Sequence, residues 1–135
     1  MMLATPAMAA VGLVTLLTLV LYAWVLSAVG KARGKYKVAA PTMTGPPEFE
    51  RAVRVQANTL EQMVPFLVAL WLAAVSFHAL LAAAVGVVWL IGRALYALAY
   101  WRDPSKRGTG FSIGSFATVA LMILALIGIV QRLIA

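Results

Sequence analysis

Arg51, Arg54, Asn58 and Glu61 set two guanidinium groups, a carboxamide and a carboxylate within about three helical turns of one stretch. Guanidinium groups donate paired hydrogen bonds to carboxylates, the amide donates and accepts, and a carboxylate holds an ammonium group. Such a set suits a small zwitterionic ligand carrying carboxylates and an amine. Wound at about 100° per residue, the four side chains fall within about an 80° arc. Gln56 points roughly the opposite way. A second stripe, Arg93, Tyr96 and Tyr100, shares about 60° of another helix at i, i+3, i+7 spacing. On its own the tyrosine pair also fits an interfacial aromatic belt. Beside the first cluster, a pocket shared by the two stripes is the better account. Glu50 reads as an interfacial charge, and Arg51 fits either an interfacial or a site role.

These side chains sit in elements of unusual composition. Of 135 residues, 64% are hydrophobic and 11% charged, where soluble domains carry about 25% charged residues. Apolar runs cover residues 8–30, 49–77, 80–101 and 111–134, each near the roughly 20 residues that span a bilayer. Lipid leaves backbone polar groups no outside partner, so spanning helices follow. The first run lacks a basic leading segment and is too long for a signal peptide, so it reads as a retained helix. The expectation is one all-α membrane domain, residues 1–135, built as a four-transmembrane-helix bundle.

Residues 31–48 read as a loop with Lys31, Arg33, Lys35 and Lys37, then a proline-rich turn. The link at 76–78 is very short, so the second and third runs should form an antiparallel hairpin. Residues 102–108 form a third loop holding Arg102, Lys106 and Arg107. Basic residues favour the cytoplasmic side, which puts loops one and three there and both termini outside. The compact chain leans towards a bacterial inner membrane.

The net charge of +7 therefore reads as topology, and no nucleic-acid motif accompanies it. With no Cys, one His and four acidic residues, disulfides and a protein thiol nucleophile are excluded and a metal site is not expected. Any thiol must arrive with a small molecule. Glu61, about three turns into its helix, carries an insertion penalty of at least about 2.5 kcal/mol, and such groups commonly line a functional polar cavity. Pairing of Glu61 with Arg54 or Arg93 is the structural alternative.

Residues 44–51, Thr-Gly-Pro-Pro-Glu-Phe-Glu-Arg, followed by Arg54, Gln56, Asn58 and Glu61, resemble the MAPEG family of membrane-associated proteins in eicosanoid and glutathione metabolism. The likeness runs from about residue 32 to 107 and is strongest to the leukotriene-synthase branch. Gln62-Met-Val-Pro65 looks more like the microsomal glutathione transferase and prostaglandin synthase branch. The resemblance implies a homotrimer with glutathione as co-substrate between adjacent subunits near the cytosolic face. Arg54, Asn58, Glu61, Tyr96 and Tyr100 would hold it from one subunit, and Arg33 and Gln56 from the neighbour. The family's catalytic arginine falls on Arg107, with Arg102 as the alternative. Its role would be to stabilise the glutathione thiolate for transferase attack on a hydrophobic electrophile, or for reduction of a lipid hydroperoxide. Gln62 stands where the synthase branch has a tyrosine, and Gly34 replaces an arginine; both leave the core set in place and argue against a leukotriene-type lipid substrate. His78 matches a family histidine and reads as interfacial.

Two other functions fit the same helices. A lipid-binding scaffold of the same fold would lack part of the glutathione set, which this chain keeps. A small four-helix multidrug exporter would use Glu61 as proton carrier, but such a pump needs its carboxylate away from neighbours such as Arg54.

Overall fold

A computed structural model describes residues 5–135, and those residues form an all-helical structure. Met1 to Ala4, included in the single-domain expectation, lie outside the described residues. Three helical stretches are long and apolar enough to cross a membrane: Pro6–Tyr36, Pro47–Arg102 and Pro104–Ile134. The protein is an integral membrane protein.

The middle stretch corrects the expectation of four separate runs. Helix α2 (Pro47–Ala73) passes into a π-helical turn, Ala74–His78, and then directly into α3 (Ala79–Arg102). The expected link at 76–78 is thus itself helical. No Gly or Pro interrupts it, and alanine at 73, 74 and 79 favours continued helix. A straight 56-residue helix would measure about 84 Å, far more than a bilayer core of about 30 Å. The chain reverses at His78, whose backbone is extended at φ −155° and ψ 114°. Its Nδ1 accepts from the Leu81 N–H at 3.2 Å and caps α3. The hairpin is antiparallel: Asn58 meets Arg93, and Phe66 stacks on Trp89 with ring centroids 4.0 Å apart.

Helix α1 (Pro6–Tyr36) is capped by the Thr5 hydroxyl, which accepts from the Met8 N–H. It runs through Lys31, Arg33 and Lys35, residues expected in a loop. Hydropathy ends where the charges begin, but Lys and Arg are good helix formers and suit a helix C-terminus. Lys37, at φ 55°, ends the helix. The true loop is 37–46. Helix α4 (Gly108–Ile134) follows a 3-10 turn, Pro104–Lys106, so it begins three residues before the expected run at Phe111.

Packing between α3 and α4 depends on glycine. A Cβ on Gly110 would strike the Tyr96 backbone, and one on Gly92 would meet the Gly114 nitrogen at 2.8 Å. Small residues let membrane helices approach this closely. At the other end Gly128 lies against the Ser76 backbone. There the Ser76 hydroxyl donates to the Ala125 carbonyl at 3.2 Å, and Arg132 donates to the Val75 carbonyl at 2.6 Å. Pro65 within α2 has no N–H for the Glu61 carbonyl.

Candidate functional site

The polar first half of α2 lies against the last turns of α3 and the start of α4. Between them is a cavity of about 360 Å³ walled by Arg54, Asn58, Tyr96, Tyr100, Arg107 and Phe111. Five of the eight residues expected at the site therefore face one space within a single chain. Glu61 is exposed one turn beyond Asn58 and accepts from its Nδ2 at 3.5 Å.

A second cavity, about 510 Å³, shares Arg54 and Tyr100 with the first and extends past Arg51, Glu50 and Thr44. Arg51 donates to the Trp101 and Arg102 carbonyls at 3.5 and 3.4 Å. It partners carbonyls at the end of α3, where no further helical donors follow. This gives Arg51 a structural task alongside its place in the second cavity wall.

Arg107 sits at the N-cap position of α4. Its guanidinium lies over the Tyr100 ring, 5.7 Å from the centroid, and donates to the Pro104 carbonyl at 3.0 Å. Asp103 shapes this corner. Its carboxylate accepts from the Ser105 hydroxyl at 2.7 Å and the Ser105 N–H at 3.0 Å. These bonds, the hydroxyl first, hold its pKa below the usual carboxylate range. Arg102, the alternative to Arg107, lines neither of the two cavities.

Arg33 and Gln56 lie apart from the first cavity. Arg33 donates to the Thr42 carbonyl at 2.7 Å and covers the Phe49 ring. Gln56 donates to the Tyr22 hydroxyl at 2.7 Å. Within one chain, both belong to the α1 side of α2.

Arg93 shares a helical stripe with Tyr96 and Tyr100 but not their exposure to the cavity. It is 1% exposed, its Nη2 donates to Asn58 Oδ1 at 3.0 Å and Thr59 Oγ1 at 3.1 Å, and its guanidinium lies over the Tyr96 ring. Arg93 thus pairs with Asn58 and Thr59 rather than with Glu61. Sequence reasoning missed Thr59 and Phe111. Thr59 adjoins Asn58 and lies on the side turned towards α3, a signal available once the hairpin is drawn. Nothing in the sequence marks Tyr22 as the partner of Gln56.

The arrangement can hold an anionic ligand between Arg54, Arg107 and the Asn58 amide. Tyrosine hydroxyls and a nearby carboxylate complete the polar lining. The model of the MAPEG family matches residues 11–127, a span that contains every one of these residues. The chain belongs to the MAPEG family. An uncharacterized protein from Synechocystis sp. is 46% identical over 121 residues, covering 90% of this chain and 88% of the relative. Microsomal glutathione S-transferase 2 of Mus musculus is 38% identical over 125 residues, covering 93% and 83%. Leukotriene C4 synthase of Cavia porcellus is 39% identical over 119 residues, covering 88% and 79%. The MAPEG match takes in most of α1 and of α4, beyond the motif in α2.

Proposed function

We propose that this protein is a glutathione-dependent membrane enzyme that joins the glutathione sulfur to a hydrophobic electrophile. The observation that carries the reading is the cavity in which Arg107 faces the same space as Arg54, Asn58, Tyr96 and Tyr100. Its donor set fits the tripeptide. Cations suit two carboxylates and a thiolate, and the Glu61 carboxylate suits the amino group. The names of two relatives, a glutathione S-transferase and leukotriene C4 synthase, support the same substrate class.

In this reading Arg54 and Asn58 anchor the peptide, while Arg107 faces the sulfur. A free thiol with pKa near 8.5 is mostly protonated at neutral pH, and an adjacent cation can lower it to about 7 or below. The proton leaves to solvent, the sulfur lone pair forms the new bond to carbon, and the carbon's bond to the leaving group breaks with its electron pair departing on that group. The same thiolate could reduce a lipid hydroperoxide, with a second glutathione closing the disulfide. We place four spanning helices in each subunit, with three subunits around glutathione sites at the cytosolic face. Arg33 and Gln56 then reach the ligand from the neighbour, which accounts for their distance from the cavity within one chain. Loops 37–46 and 103–107 would face the cytoplasm and both termini the outside.

Isothermal titration of the protein in nanodiscs with glutathione tests the binding step, and heat of binding at one site per subunit is the expected result. Conjugation and hydroperoxide reduction across a substrate panel then separate transferase from peroxidase activity. Absence of glutathione binding by wild type would overturn the proposal.

A further inference from the structure

Arg93 is the most deeply buried charged group in the described structure, and it lies behind the cavity wall without lining the cavity itself. A guanidinium has five N–H donors and no acceptor. Nη2 meets Asn58 Oδ1 at 3.0 Å. That contact is possible only with the amide oxygen turned towards α3, because the flipped amide would set N–H against N–H. Thr59 Oγ1 accepts from the same nitrogen at 3.1 Å, and the Tyr96 ring lies under the guanidinium at 4.1 Å. The head group is thus fixed on three sides. Asn58 Nδ2 is left facing the cavity side, where its one partner is Glu61 Oε2 at a long 3.5 Å. One of its two protons stays available to a ligand.

We propose that Arg93 is a positioning residue that locks the Asn58 amide with its NH₂ towards the cavity, so that this point selects a ligand acceptor, a carboxylate or amide carbonyl oxygen. The ligand class rests on the glutathione reading above, whereas the orientation of the amide rests on hydrogen-bond chemistry alone. An unlocked amide would present donor and acceptor in turn, and an anion meeting the oxygen would be repelled. The buried cation therefore acts on the ligand at one remove, through a neutral group. This also explains an arginine in an apolar helix interior, where an ionised group is costly.

Asn58 is the chain's single asparagine, so ¹⁵N-asparagine labelling yields one side-chain amide signal. In ligand-free wild type, that NH₂ pair should appear as two resolved protons displaced from free-amide positions, and Arg93→Lys should move it. A pair at free-amide positions in wild type overturns the lock, whatever the outcome of glutathione titration. The second arm is a binding cycle with glutathione. Arg93→Lys and Asn58→Ala should each weaken binding up to about tenfold, the scale of one hydrogen bond. The double variant should bind no more weakly than Asn58→Ala alone, because residues acting through one contact are not additive. Losses that multiply would show a separate structural role for Arg93 and overturn the proposal. Asn58→Asp should bind more weakly than Asn58→Ala, since it offers an oxygen where a donor is needed, and equal or tighter binding would remove the acceptor claim. If wild type binds no glutathione, the function reading fails, and the amide signal still decides the lock.

Discussion

The two ends of the helical hairpin are built alike and equipped differently. At each end a glycine of α4 presses on the backbone of the hairpin, Gly110 on Tyr96 and Gly128 on Ser76. At each end an arginine near the end of α4 donates to a carbonyl, Arg107 to Pro104 and Arg132 to Val75. Near Gly110 the neighbouring side chains are Arg54, Asn58, Tyr96 and Tyr100 around a cavity. Near Gly128 the neighbouring groove, about 450 Å³, is walled by Val68, Leu72, Met122, Leu126 and Ile129. The same packing device thus borders a polar cavity at one end and an apolar groove at the other. The difference lies in what α2 presents, polar up to Glu61 and apolar beyond Gln62.

Matched substitutions separate the two roles. Gly110→Ala and Gly128→Ala both force backbone apart and should each destabilise by about 1–3 kcal/mol, the range for overpacking. Only Gly110→Ala should also abolish glutathione binding, because it shifts α4 and Arg107 away from Tyr100. Thermal melting in detergent with parallel titration reads both, and equal binding losses at the two glycines would erase the distinction.

The arginines form the next pair. Arg107→Ala should lower kcat for conjugation about 10²-fold, as for loss of one charge-stabilising donor, with little change in melting. Arg132→Ala should leave kcat intact and lower stability by about 1 kcal/mol for its carbonyl bond. Full turnover by Arg107→Ala would remove it from the mechanism and return attention to Arg102.

A smaller effect of opposite sign is expected on α1. Gly34 is helical and has open space where a Cβ would go, so Gly34→Ala should stabilise by about 0.5–1 kcal/mol. A loss of stability on melting would mean that a second subunit occupies that space.

The smallest effect concerns acid. Asp103 has a folded pKa held below its unfolded value of about 3.9 by the Ser105 hydroxyl and N–H. The sign follows directly: its contribution is present above the unfolded pKa and lost as pH falls through the lower folded value. Ser105→Ala removes the larger of the two bonds. Melting curves from roughly pH 6 to 3 should therefore fall less steeply at the acid end for the variant than for wild type. Parallel curves would show that this corner adds nothing to acid stability.

Much of this was legible from residue order alone. The 100° rule placed Arg54, Asn58 and Glu61 on one face and Gln56 on the other, and Gln56 does turn away, towards Tyr22. The hairpin was legible from the short link, although its helical form was not, because hydropathy does not separate a π-helical turn from a loop. Helix α1 overran its apolar run because charge ends a membrane span without ending a helix. Arg93 was misjudged for a geometric reason. A helical wheel gives direction but not depth, and Arg93 lies one turn farther from the α3 terminus than Tyr96, among close-packed neighbours instead of beside space. Arg33 and Gln56 stay away from the cavity because each is engaged on the α1 side, by the Thr42 carbonyl and the Tyr22 hydroxyl, partners that helical spacing does not reveal.

Beneath the cavity, one turn past Arg93, Phe66 and Trp89 lie nearly parallel with no exposure at all. In electrical terms this pair is an uncharged plug that separates the polar lining at one end of the hairpin from the apolar groove at the other. Under the proposed glutathione chemistry, a proton shed at the cavity would meet no titratable group in these two rings.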